Sequence, residues 1–113
     1  MQKRKRTNSS NLRTVYSRLF RISEDTFASR EYDVAYHALS GALHCAASLK
    51  DTKYLKEVER LAGDQLKWID THAPEYEHST QSSSKRGLPS IYKNLATMAN
   101  AKAVILQHEA KKG

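Results

Sequence analysis

Apolar side chains recur along this chain in steps of three and four, and little interrupts them: 113 residues hold only two Pro and four Gly. That spacing returns to one side of a helix turning 100° per residue, so it specifies amphipathic helices rather than strands, whose side chains alternate. In the first such stretch, Leu12, Val15, Tyr16, Leu19, Phe20, Ile22, Ser23, Thr26 and Phe27 share one half of the helical wheel. Arg13, Ser17, Arg18, Arg21, Glu24 and Asp25 share the other. A first helix is predicted from about Ser10 or Asn11.

The phase breaks at 29–33, where Ser29 or Asp33 is placed to cap a second helix. Its apolar face, Ala35, Ala38, Leu39, Ala42, Cys45, Ala46 and Leu49, is built mostly of small side chains, which lets a neighbouring helix approach closely. Asp51 or Thr52 offers the next cap, and Tyr54, Leu55, Val58, Leu61, Ala62, Leu66 and Ile69 form a third stripe flanked by Trp68. The pattern stops at Pro74, and Glu75 to Ser90 reads as a polar, Ser-rich connection expected to be mobile. Pro89 suits the first position of a fourth helix, with the stripe Ile91, Leu95, Met98, Ala99, Ile105 and Leu106. The expected fold is all-α, a four-helix antiparallel bundle or stacked αα-hairpins. Residues 1–10 are expected to be a flexible basic arm, and 11–113 one helical domain with a mobile linker at about 74–90. Leu19, Phe20, Leu39, Ala42, Leu61, Leu66, Leu95 and Ile105 are expected in its core.

Charge is distributed unevenly. Lys3, Arg4, Lys5, Arg6, Arg13, Arg18 and Arg21 all precede the first acidic residue, Glu24, and these seven account for the formal net charge of +7. The rest of the chain is neutral, so an anionic partner would be met at the arm and first helix. Because Tyr16 and Phe20 fall on the apolar side there, contact with phosphates is implied rather than base stacking. The lone Cys45 has no partner for an internal disulfide, no run of 18 apolar residues occurs, and the opening MQKRKRTNSS is not an apolar leader. A cytoplasmic protein that does not enter a membrane is expected.

Few residues suggest chemistry. His37, Ser40 and His44 lie on the polar side of the second helix, which is either a solvent-exposed face or, with Lys102, a shallow groove. The two histidines stand two turns apart, near 10 Å by helical rise, too far to share one metal ion. Glu75 and His78 have a di-metal spacing without the second copy that such sites need, so no metal is expected. Cys45 lies among alanines, which suits a core residue better than a nucleophile. Lys102 breaks the fourth stripe between Met98 and Ile105. Either it snorkels from the rim of the core, or that face is not covered by its own bundle. No phosphate loop or cofactor motif is present, and no cofactor is expected.

Tyr32, Ala35 and Ala42 in the stretch Arg30 to Leu43 resemble the second half of a tetratricopeptide repeat, over about residues 16–49. The resemblance implies an αα-hairpin that serves protein recognition. Arg30 and His37 also form an Arg-x6-His spacing similar to that of the HEPN helical ribonucleases, which implies RNA cleavage by a dimer. The leading expectation is therefore a non-catalytic module for a protein partner, a second copy of the chain included. A nucleic-acid binder using the basic arm and first helix is the alternative, and a HEPN-like ribonuclease the second alternative.

Overall fold

The computed structural model describes the backbone of residues 2–112 and the side chains of 10–111. All regular structure among them is helical, in the order α1 (Gln2–Ala28), α2 (Tyr32–Ser48), α3 (Thr52–His72), α4 (Thr80–Lys85) and α5 (Ile91–Lys112). Helix α1 packs along α2, and α3 along α5. The two hairpins meet chiefly through α2 and α3. The chain is thus a pair of stacked αα-hairpins, the second of the two arrangements expected from sequence.

Helix α1 is longer than its apolar stripe. Lys, Arg and Gln favour helix but carry no apolar phase, so the stripe alone could not mark a start at Gln2. The side chains of 1–9, the bulk of the expected basic arm, lie outside the described residues.

Both hairpin turns of the α1–α2–α3 path close in the same way. Arg30 ends α1 at φ 66° and Lys50 ends α2 at φ 54°. Just beyond them the Glu31 amide donates to the Thr26 carbonyl and the Asp51 amide to the Ala46 carbonyl. These are Schellman closures, for which glycine is the usual residue and for which a cation here bears the backbone strain. Asp51 caps α3, accepting from the Tyr54 amide. At α2 neither Ser29 nor Asp33 is the cap. Glu31 occupies that position without a side-chain bond, while Asp33, one residue into the helix, accepts from the Tyr76 hydroxyl.

The core is formed by Tyr16 from α1, Leu39, Ala42, Leu43 and Ala46 from α2, Leu55, Val58 and Ala62 from α3, and Leu95, Ala99 and Ala103 from α5. Its small residues bring helices together: a Cβ built on Gly41 would stand 3.0 Å from Leu19 Cδ1. Of the expected core members, Leu39, Ala42 and Leu95 are buried and Leu19, Phe20, Leu61 and Leu66 half-buried. Ile105 is a correction. It is 56% exposed, because α5 turns Tyr92, Leu95, Ala99 and Ala103 inward and leaves the bulkier Met98 and Ile105 outside.

The 74–90 connection holds structure that its composition does not signal. Ser79 caps α4 by accepting from the Ser82 amide, and the Ser79 and Ser82 hydroxyls both donate to the Pro74 carbonyl. Asp70 of α3 receives the amide and hydroxyl of Thr80, and Arg86 reaches the Glu77 carbonyl at 2.8 Å. Helix α5 then starts at Ile91 rather than Pro89. The buried Ser90 hydroxyl accepts from the Tyr92 amide and donates to the His78 carbonyl.

Candidate interaction surface

The arginines of α1 differ in how much they are already committed. Arg13 Nη1 lies 2.9 Å from Asp51 Oδ2, with the guanidinium over the Tyr54 ring at 5.6 Å. Arg21 stands 3.7 Å from Asp25 one turn on, both side chains well exposed. Among the described residues Arg18 enters no ion pair. Lys3, Arg4, Lys5 and Arg6 have side chains outside the described residues. The arginine side of α1 is therefore less a free cationic face than its sequence suggests, and Arg13 in particular ties α1 to the start of α3.

Beneath Arg13 the Tyr16 ring stacks on Tyr54 with centroids 4.0 Å apart, and its hydroxyl donates to Glu57 Oε1 at 2.8 Å. Burial first, then the bond to Glu57, pushes the Tyr16 hydroxyl far above the usual tyrosine range, so it remains a proton donor. Asp51 is pushed up by burial, but the Tyr54 amide and Arg13 outweigh this and hold it below the ordinary carboxylate value. A second polar seam lies deeper. The Ser23 hydroxyl donates to the Ala35 carbonyl at 2.7 Å and accepts from Gln65 Nε2 at 3.1 Å, joining α1, α2 and α3.

His37 and His44 are exposed and Ser40 is half-buried on α2. None of these three lines the cavity on which Lys102 sits. The structure does not gather His37, Ser40, His44 and Lys102 into one groove: Lys102 sits elsewhere, on a cavity of about 200 Å³ that it shares with Ala47, Lys50, Ile105 and Leu106. Arg30 lies over the Trp68 ring at 5.7 Å, with His72 stacked on that indole at 4.4 Å, so Arg30 braces the hairpin turn. Cys45 is buried, and burial pushes its thiol up, away from nucleophilic character. Among the described residues no three His, Cys, Asp or Glu side chains gather as metal ligands, and no helix is long and apolar enough to cross a membrane.

What stands out is the outer face of α5. Ile91, Met98 and Ile105 recur every seven residues and so form one stripe; Ile91 is half-buried, Met98 46% exposed and Ile105 56% exposed. Lys102 lies on the same side between them. Helix α1 carries a lesser counterpart in Val15 and Ile22, 40% and 44% exposed and also seven residues apart. Residues missed in the sequence are Lys50 and Ala47, which border the Lys102 cavity from the end of α2. No periodicity could have found them, since they meet α5 only through the packing of two hairpins.

Comparison with protein-family models, with curated proteins and with solved structures gives no match.

Proposed function

We propose that this chain is a non-catalytic helical module that holds a protein partner on the outer face of α5. The observation that carries this reading is the stripe of Met98 and Ile105, two large apolar side chains about half-exposed on a regular helix whose inner face is already fully packed. Exposed apolar residues scattered singly are ordinary, whereas a row in helical phase beside a cavity has the form of a contact surface. The tetratricopeptide-like reading of residues 16–49 belongs to the same proposal. Ala35 and Ala42, two of the residues that carry the resemblance, are wholly buried. A cytoplasmic location belongs to this proposal.

The test is site-directed photocrosslinking with benzoylphenylalanine at position 98 and, as control, at the exposed Thr71, in an extract of the source organism. A protein adduct is expected from position 98 only, and Ile105→Ser in the same chain should abolish it while the far-ultraviolet circular dichroism stays unchanged. Adducts equal at both positions, or with nucleic acid alone, would overturn the reading.

A further inference from the structure

The cavity at the end of α2 gives the proposed contact surface a chemical preference. Its volume of about 200 Å³ is below the roughly 300–1,000 Å³ of small-molecule pockets, but it is room for one aliphatic side chain. It is lined by the apolar Ala47, Ile105 and Leu106 together with two cations, Lys50 and Lys102. Among the described residues neither lysine has a carboxylate partner. Helix α5, which lines the cavity, carries Lys93, Lys102, Lys111 and Lys112 against a single acidic residue, Glu109. Lys50 also occupies a left-handed position where a glycine would relieve the backbone.

Resting on the interaction-module reading, we propose that the α5 face binds an acidic amphipathic helix of a protein partner. An apolar anchor of that helix enters the cavity, and Asp or Glu residues one turn to either side pair with Lys50 and Lys102. This is helix-in-groove recognition with the charges set for selection. At the cavity itself a two-fold contact between two copies would bring Lys50 and Lys102 of one copy against those of the other, which disfavours a second copy as the occupant.

The test uses the full chain labelled with 15N and three 18-residue lactam-stapled helical peptides with the same leucine stripe. Their polar positions are filled with Glu, Gln or Lys. The Glu peptide is expected to shift the amides of Ala47, Lys50, Lys102, Ile105 and Leu106 and to bind at least five-fold more tightly than the Lys peptide. Lys50→Gln and Lys102→Gln should each weaken it by about two- to five-fold, the range of partly exposed ion pairs. Lys102→Glu should move the preference toward the Lys peptide. Equal binding of all three peptides at these amides would overturn the acidic preference while leaving the protein-binding face intact. No shift with any peptide, shifts there with phosphatidylglycerol vesicles but not with the Glu peptide, or a concentration-dependent dimer in sedimentation lost with Ile105→Asp would each overturn the assignment of this occupant. The crosslink from position 98 reports on the broader reading independently of these results.

Discussion

Asp51 illustrates how much one side chain can hold together. It caps α3 through the Tyr54 amide and pairs with Arg13, which in turn covers the Tyr54 ring stacked on Tyr16. Its folded carboxyl sits below the ordinary carboxylate value. A carboxyl depressed by folding adds stability above its unfolded value, and that contribution is lost as pH falls through the folded value. Asp51→Asn keeps an acceptor for the cap but removes the charge. The stability difference from the parent, measured by urea unfolding, is thus expected at pH 7 and should shrink as pH falls below about 4. A difference that stays constant with pH would place the effect in the hydrogen bond instead. Asp51→Ala should cost about 0.5–2 kcal/mol at neutral pH for the lost cap alone. Gln65 is the opposite case. Its Nε2 serves Ser23, but its Oε1 is buried without a partner. Because an unsatisfied buried acceptor costs about 1–3 kcal/mol, Gln65→Met is expected to be neutral or stabilising in the same assay.

At the scale of elements, the stripes of α2 and α3 are legible because their largest apolar residues point inward, whereas α1 leaves Val15 and Ile22 of its stripe exposed. Leu39, Leu55, Val58 and Ile69 are fully buried, as their phase requires. The stripe that spacing predicts for α5 is centred off the buried face, for a physical reason. Periodicity weighs side-chain size, and Ile91, Met98 and Ile105 outweigh the alanines 99 and 103 that actually face α3. Lys102 was the visible sign of this, since it interrupts a face that its own bundle leaves uncovered. Helix α4 and the cap at Ser79 left no apolar trace at all; they exist through hydroxyls bonding nearby carbonyls, which spacing cannot reveal. Two consequences follow at this scale. Leu39→Ala should cost about 2–5 kcal/mol, whereas Ile105→Ser should stay within about 0.5 kcal/mol, both by denaturant unfolding; similar losses would mean that the α5 face is covered. In limited trypsin digestion, Asp70→Ala should hasten cleavage at Lys85 and Arg86 by releasing Thr80 and the start of α4, and an unchanged rate would show that Pro74 and Arg86 hold the segment unaided.

For the whole molecule the governing feature is the separation of charge from apolar surface. Seven cations with no acidic residue among them occupy residues 3–21, in the first hairpin, while the uncovered apolar stripe is on α5, in the other. A polyanion would therefore meet a different part of the protein from a helical partner, and the two readings can be told apart by salt. Each phosphate neutralised on duplex DNA contributes about −0.9 to the slope of log affinity against log salt. With Arg13 held by Asp51 and Arg21 beside Asp25, Arg18 is the one described arginine of α1 outside such pairs, and phosphate contacts from it and from the four cations of residues 3–6 would together give a slope of about −4.5. Arg18→Gln should flatten it by about 0.9. Arg13→Gln should leave it unchanged and instead lower stability, since its loss leaves Asp51 without its cation. Fluorescence anisotropy of a labelled duplex over a salt series, paired with urea unfolding of each variant, measures both. A slope steeper than −4.5, or one that flattens with Arg13→Gln while stability holds, would mean that the Arg13–Asp51 pair opens to receive phosphate. The basic end of the molecule would then be a nucleic-acid surface in its own right, separate from the α5 face.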